Sequence, residues 1–447
     1  MKKFALALAC LITLAHPAAA DQLRIANVTV VDVRTGVLRP GQDVDVDNGR
    51  ITSVRPSATA RPNRGVTVVD GRGKFLIPGL WDSHIHLSWT TRSALPLLIA
   101  EGVTSVRDLG SSLSEIEGWR ARIAAGELVG PRILRVGPIL NGMSFNAYQF
   151  VPGSAEGTRA TVRLLSSLGV DEIKVHRRMP KDWYLAALEE ARAQKLRVVG
   201  HVPIEISPAV AADAGHYMIE HTETLFEGTF SANLSDEQLP AAIRAWLASD
   251  APEALFATLV RDGTWVDPTL SGYLEMADLY DPAITPGPLY RYVAASQRKI
   301  WAEQLKANPL SQAEVTRLHE HMNLLVDVTA RMHKAGVRIV AGTDAAAFRL
   351  VGFSLHHELV DLVRAGLTPL QALQAATLNP AIAFGKIADL GTIEPGKLAD
   401  LVLLNANPLE SIDSTQSIAA VVSAGRLFQR SDLTGLLQEA ERLAAAN

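Results

Sequence analysis

The sequence predicts an α/β protein: a (β/α)8 (TIM) barrel carrying a small β-sandwich built from both chain ends. Three observations carry this expectation. Short apolar runs alternate with helix-length stretches from about residue 78 to 385, and eight such runs can be counted. Strand-like segments flank that region on both sides. The chain has 447 residues, well beyond the roughly 250 of a typical barrel. Apolar residues make up 48% and charged residues 20%, an ordinary globular balance that excludes extended disorder, collagen and coiled coil. With 43 basic and 47 acidic residues the formal charge is −4, so no basic face for nucleic acid is expected.

The chain opens on Met1-Lys2-Lys3, an apolar run from Phe4 to Ala15, a break at His16-Pro17 and the small residues Ala18-Ala19-Ala20. That order is the pattern of a secretory leader, and the run is too short to span a membrane. Cleavage after Ala20 is expected to give a periplasmic or secreted protein with no membrane association. It would remove Lys2, Lys3 and Cys10, leaving a charge of −6 and no thiol. Disulfides and Cys-based zinc sites are thereby excluded.

The N-terminal part of the sandwich is expected over 21–77. Leu23 to Val31 is rich in β-branched residues, and Asn48-Gly49 between two alternating runs predicts a hairpin. Thr67 to Gly71 reads as another strand and turn. The barrel is expected over 78–385, with strands in "LWDSHIHL", "GVTSVRDLG", "RILRVG", "EIKVH", "RVVGHV", "YMIEH", "TWVDPTL" and "RIVAGTD". The stretch from about 274 to 334 is polar and helical in period, and is expected as an inserted helical pair. Residues 386–432 return to strands and complete the sandwich. Leu433, Leu436, Leu437 and Leu443 place a C-terminal helix over 433–447.

Candidate chemistry lies at strand ends. His84 and His86 are two apart on one strand, so both imidazoles face the same side. Lys174, His201, His221 and Asp344 close later strands, and the carboxyl ends of barrel strands are where such enzymes keep their sites. His176 lies two residues beyond Lys174 and is weighed between the mouth and an ordinary loop position. Arg177, Arg178 and Arg349 flank these loops and are candidates to clamp a substrate carboxylate. His216 is expected to be structural, and His319, His321 and His333 solvated. His356 and His357 are expected in a cap, and Asp108 as interior support.

The motifs "GLWDSHIHL", "EGVTSVRDLG", "EIKVH", "VVGHVP", "MIEH", "VAGTD" and "LGTIEPGKLADLVLLNANPL" resemble the metal-dependent amidohydrolase superfamily. The branch they resemble is the imidazolonepropionase-like one that includes dipeptidases and prolidases. The resemblance implies that His84, His86 and Asp344 hold one divalent metal, and His201 and His221 a second. It implies that Lys174 is carbamylated and bridges the pair, since an unmodified ammonium has no acceptor with which to ligate a cation. Imidazole-rich ligation suits zinc first, with manganese or cobalt as alternatives. A hydroxide shared by the metals would attack an amide carbonyl, and Asp344 would move its proton to the leaving amine. The expected function is hydrolysis of a C–N amide bond in a dipeptide or N-acyl amino acid. Two alternatives stay open: a mononuclear cyclic-amide hydrolase or deaminase, and a non-catalytic metal- or solute-binding protein. The chain departs from many members of this branch at "VHRRMP" after Lys174 and at "PILNGMSFNAYQF" after the third strand, which bears on substrate shape. A homo-oligomer is compatible with the sequence.

Overall fold

The computed structural model describes residues 22–57, 65–228, 234, 237–281, 287–345 and 349–446. The expected leader lies outside them. The N-terminal flank forms β1 (Leu23–Val31), β2 (Leu38–Asp47), β3 (Arg50–Pro56), β4 (Thr67–Asp70) and β5 (Phe75–Pro78). Asn48 (φ 50°) and Gly49 (φ 73°) make the predicted two-residue turn between β2 and β3, in the left-handed conformation that such hairpins require. β1 bends at Asn27 (φ 55°). Before the bend it pairs in parallel with β4, after it with β5, while β2 runs antiparallel along its other edge.

The central region supplies β6 (Leu80–Ile85), β7 (Val103–Asp108), β8 (Arg132–Arg135), β9 (Ile139–Leu140), β10 (Gln149–Phe150), β11 (Ile173–Val175), β12 (Val198–Gly200), β13 (Met218–Glu220), β14 (Trp265–Asp267) and β15 (Arg338–Ile339). All pair in parallel, in two sheets ordered β6-β7-β8 and β10-β9-β11-β12-β13-β14-β15. Eight of these ten are the runs read from the sequence; β9 and β10 are additional. β6, β7, β9 and β11 to β14 are buried throughout and mostly apolar, as parallel strands covered by helices are, whereas β8, β10 and β15 are partly exposed. Isolated contacts join the two sheets. Ser83 N donates to Ala341 O (2.9 Å) and His86 N to Ala345 O (3.1 Å), and Ile85 bridges Ala345. On the other side Asp171 N donates to Arg135 O (2.8 Å).

The described residues of the stretch expected as an inserted helical pair form three α-helices, Leu270–Tyr280, Ala295–Ala307 and Gln312–Lys334, with a 3-10 turn at Pro288–Tyr292. The last is no appendage. A capping box between Ser311 and Glu314 starts it, and Leu325, Val328 and Met332 are fully buried in the main core. Its polar N-terminal half explains why the segment reads as solvated.

The C-terminal flank forms β16 (Leu401–Leu404), β17 (Ile418–Ser423) and β18 (Arg426–Gln429). β16 lies antiparallel to β5, so both chain ends join in one mixed sheet of eight strands, ordered β18-β17-β16-β5-β1-β2-β3 with β4 also on β1. The hydrogen bonding records this as one continuous sheet and not as two facing ones. It curls around a core of Ile25, Val30, Val44, Val46, Leu76, Leu401 and Leu403. Ile51 N donates to Lys397 O (2.8 Å), which brings the hairpin end round to the segment before β16. A Cβ on Gly425 would stand 2.3 Å from Gly49 Cα, so these two turns meet only as glycines. The helix Arg430–Ala446 buries Leu433, Ala440 and Ala444 and packs on the helix Ala94–Ala100. Among the described residues no helix is long and apolar enough to cross a membrane.

Candidate active site

The carboxyl ends of the parallel strands bring the sequence-derived ligand candidates together. His84 stands on β6 and His86 one residue past it. Lys174 lies within β11, and His201 and His221 immediately follow β12 and β13. Asp344 lies five residues beyond β15. Its Oδ1 is 3.3 Å from His84 Nε2 and 3.2 Å from His86 Nε2. Ring centroids are 4.9 Å apart for His84 and His221, 4.7 Å for His201 and His221, and 4.3 Å for His176 and His201. Atoms of His84, His221 and Asp344 lie within 4.8 Å of one another. Lys174 runs over Gly200, where a Cβ would stand 2.9 Å from its Cδ. His221 (φ 70°) and Asp344 (φ 54°) hold left-handed backbone, a strain that clusters at functional sites.

The rings are oriented from behind. His86 Nδ1–H donates to Gly110 O (3.2 Å), which leaves Nε2 turned to Asp344. His221 Nδ1 is 2.8 Å from Thr269 Oγ1. Asp82 accepts from His84 N, Thr343 N and Thr343 Oγ1, tying the Asp344 loop to β6. Burial, reinforced by the nearby Lys174 charge, pushes His84 down to about 4 and His176 to about 3. Burial likewise holds His201 and His221 well below the usual histidine range. Burial pushes Lys174 down to about 8, against the pull of Glu220 and Asp344. Burial opposes ionisation of Asp344, but Arg349, His84 and His86 outweigh it and hold the carboxyl well below the carboxylate range. Burial thus favours the neutral form of His84, His176, His201 and His221, while Asp344 is held as an anion.

This donor set fits divalent cations. His84 Nε2, His201 Nδ1 and Lys174 Nζ are buried and make no hydrogen bond to the described residues. Buried polar atoms left so are costly unless something else binds them. Neutral imidazoles and a carboxylate, without a thiolate, match zinc, manganese or cobalt.

Four supporting residues were not picked out from the sequence. Arg107 on β7 is fully buried. Its Nε donates to Ser83 O (2.7 Å), Nη2 to Glu220 Oε1 (2.7 Å) and Nη1 to Glu172 Oε2 (3.3 Å), and Asp267 Oδ2 is 3.9 Å away. The other oxygen of Glu220, Oε2, is 3.2 Å from His84 Nδ1. A carboxylate on one imidazole nitrogen aims the other at the centre. The available signal was a charge inside each apolar run: Arg107 in "VTSVRD", Glu172 in "EIKV", Glu220 in "MIE" and Asp267 in "WVD".

The remaining candidates are dispersed. Arg177 Nη1 is 2.7 Å from Glu227 Oε1, and Arg178 lies over the Phe145 ring with Nη1 3.4 Å from Met143 Sδ. Of the three arginines only Arg349 reaches the cluster, with Nη2 3.6 Å from Asp344 Oδ2. His176 does reach the cluster through His201, and its Nδ1 is 3.4 Å from Asn141 Nδ2. His216 is structural, between Tyr184 Oη (3.0 Å) and Met218 O (2.9 Å). His356 faces Thr415 Oγ1 and Glu101 O, and His357 lies against Glu275. Asp108 accepts from Leu87 N and Ser111 Oγ. His319, His321 and His333, expected to be solvated, are half-buried because their helix is packed; His319 lies 3.9 Å from both Asp278 and Asp281.

Known proteins share this arrangement of the chain. An adenine deaminase from Rhizobium meliloti is 25% identical over 401 residues, covering 87% of this chain; the chain spans only 56% of that relative's length. An imidazolonepropionase from Symbiobacterium thermophilum is 27% identical over 420 residues, covering 87% of this chain and 90% of its own. A candidate prolidase from Bifidobacterium longum superposes with a TM-score of 0.71 at 26% identity, covering 94% of this chain and 99% of its own. The resemblance to the imidazolonepropionase and prolidase branch therefore holds. The profile of the amidohydrolase family matches residues 75–428, most of the sequence, and the chain belongs to that family.

Proposed function

We propose that the protein is a binuclear metal-dependent hydrolase that cleaves the C–N amide bond of a dipeptide or N-acyl amino acid. The observation that carries this is Lys174: a fully buried amine among four imidazoles and Asp344, with no hydrogen bond of its own and a depressed pKa. A neutral amine can add carbon dioxide, losing a proton and becoming a carbamate with two acceptor oxygens. His84, His86 and Asp344 would then hold one cation, His201 and His221 the other, and carbamylated Lys174 both. The cations held there would supply acidification of an attacking water and polarisation of the scissile carbonyl. Asp344, kept ionised by Arg349, takes the water's proton and hands it to the leaving nitrogen, so that amide and water become acid and amine. Glu220 keeps His84 in register. The same reading closes the eight parallel strands into one barrel through the Ile85–Ala345 bridge, and folds the terminal sheet over itself as a sandwich. It also has the chain exported, with Asp21 as the mature N-terminus; Met1 retained in the native protein would refute that part.

The test is metal content and turnover together. Purified protein should carry two metal equivalents and hydrolyse members of a dipeptide and N-acyl amino acid panel. Lys174→Ala should lose one equivalent and all turnover, and bicarbonate should speed metal reconstitution of the wild type alone. Full metal content and turnover in Lys174→Ala would overturn the proposal. A second reading, a mononuclear deaminase, is favoured by the convergence of His84, His221 and Asp344 and by the adenine deaminase relative. It requires one equivalent per chain and ammonia released from a purine. Metal bound with turnover of neither substrate class would point to a binding protein.

A further inference from the structure

Beside the ligand cluster lies a cleft between the segment after β6, residues 349–353 and the helix Ala295–Ala307. Its free space is about 430 Å³ when the open solvent at its mouth is counted, and the part walled on all sides is far smaller, so a ligand side chain would lie at the mouth. Four aromatic rings wall it: Trp89, Tyr292, Trp301 and Phe353. Tyr292 and Phe353 stack at 5.6 Å. Two residues of the wall also touch the candidate centre. Trp89 lies 5.2 Å from the His86 ring, and Arg349 lies 3.6 Å from Asp344. The cleft therefore abuts the place where the amide would react. Arg349 is the single charged residue among its described walls.

We infer that this cleft is a subsite for a flat aromatic side chain next to a free carboxylate, which Arg349 binds. The preferred substrates are then dipeptides and N-acyl amino acids whose leaving amine belongs to an aromatic amino acid. The inference rests on the proposed hydrolase reading for its orientation. Aromatic rings lining a narrow cleft favour another ring, offset or edge-on, over an aliphatic chain. A guanidinium offers five donors in a planar fork, so it serves Asp344 and a substrate carboxylate together. Its place between cleft and centre fits a substrate in which side chain, carboxylate and amide nitrogen radiate from one carbon.

The test compares Gly-Phe, Gly-Pro and Gly-Gly with the zinc-loaded enzyme, alongside binding of L-phenylalanine and glycine followed by calorimetry. Gly-Phe should exceed Gly-Gly in kcat/KM by at least ~10-fold, the scale on which an apolar pocket discriminates. Trp301→Ala should collapse that ratio, and so should Ala294→Phe, which fills the cleft if the first variant does not fold. Arg349→Met should raise KM for Gly-Phe more than for its amide. If no peptide is cleaved but L-phenylalanine binds at least ~10-fold tighter than glycine and loses this in the cleft variants, the subsite stands and the hydrolase reading falls. If Gly-Gly and Gly-Phe are cleaved alike, and phenylalanine binds no better than glycine, the subsite is refuted and the hydrolase reading survives.

Discussion

Arg107 and Arg177 both lie close in sequence to the carboxyl ends of parallel strands, yet they are used in opposite ways. Arg107 sits on the floor, out of contact with water, and holds the carbonyl of Ser83 together with Glu220 and Glu172. Arg177 sits on the rim with 42% of its side chain exposed, and its ion-pair partner is Glu227. On the floor three carboxyl groups, Glu172, Glu220 and Asp267, surround one guanidinium; Arg107 and His84 hold Glu220 ionised beneath His84, whereas burial pushes Asp267 well above the usual carboxylate range. On the rim one cation meets one anion in water. The floor can therefore aim a ligand. A rim pair is screened and adds little.

The largest expected effect is on the floor. Arg107→Met strands buried carboxylates, and breaking a buried pair in this way costs ~3–5 kcal/mol. Urea denaturation of the metal-free protein should show that loss; a change under ~1 kcal/mol would erase the contrast with the rim. Next comes Glu220→Gln, which keeps the shape but removes the charge facing His84. Metal affinity, measured by chelator competition, should fall ~10–100-fold as for other residues that orient a metal-bound histidine. Unchanged affinity would make Glu220 a mere partner of Arg107.

Glu358 sharpens the comparison with a buried carboxyl that takes a backbone N–H from Ser271 in place of a cation. Burial pushes it up to about 8, from the usual 4.5. The folded chain thus keeps this proton up to pH 8, while the unfolded chain releases it above 4.5. Folding then retains a proton that unfolding gives up, so stability falls as pH rises through that window, by up to ~1.4 kcal/mol per unit. The stability of wild type relative to Glu358→Gln should decline between pH 5 and 8; a flat or rising difference would place the carboxyl among ionised groups. The smallest effect belongs to Arg177→Met, which should cost under ~1 kcal/mol and leave KM for a carboxylate substrate within about twofold. A large rise in KM would move substrate recognition from Arg349 to the rim.

These two regions also differ in how legible they were. His84 and His86 were readable because a two-residue spacing on a strand defines a face by itself. The hairpin at Asn48-Gly49 was readable because its turn is chosen locally. The eight apolar runs were readable because buried parallel strands are mostly apolar. Arg107 and Glu220 were hidden, since a charge inside such a run reads as an interruption until its partner, 113 residues away, is known. The helix Gln312–Lys334 was misjudged from its polar first half.

By itself, then, the sequence determined the family, eight of the ten parallel strands and the residue types available for ligation, all of which depend on short-range pattern or whole-chain motif order. Only the tertiary structure decided that the two chain ends share one curled sheet, that Arg349 and not Arg177 or Arg178 stands at Asp344, and that four aromatic rings from distant segments wall one cleft. Those outcomes depend on which segments become neighbours once the strands line up, and that follows from the packing of the whole core, which no single stretch of sequence encodes.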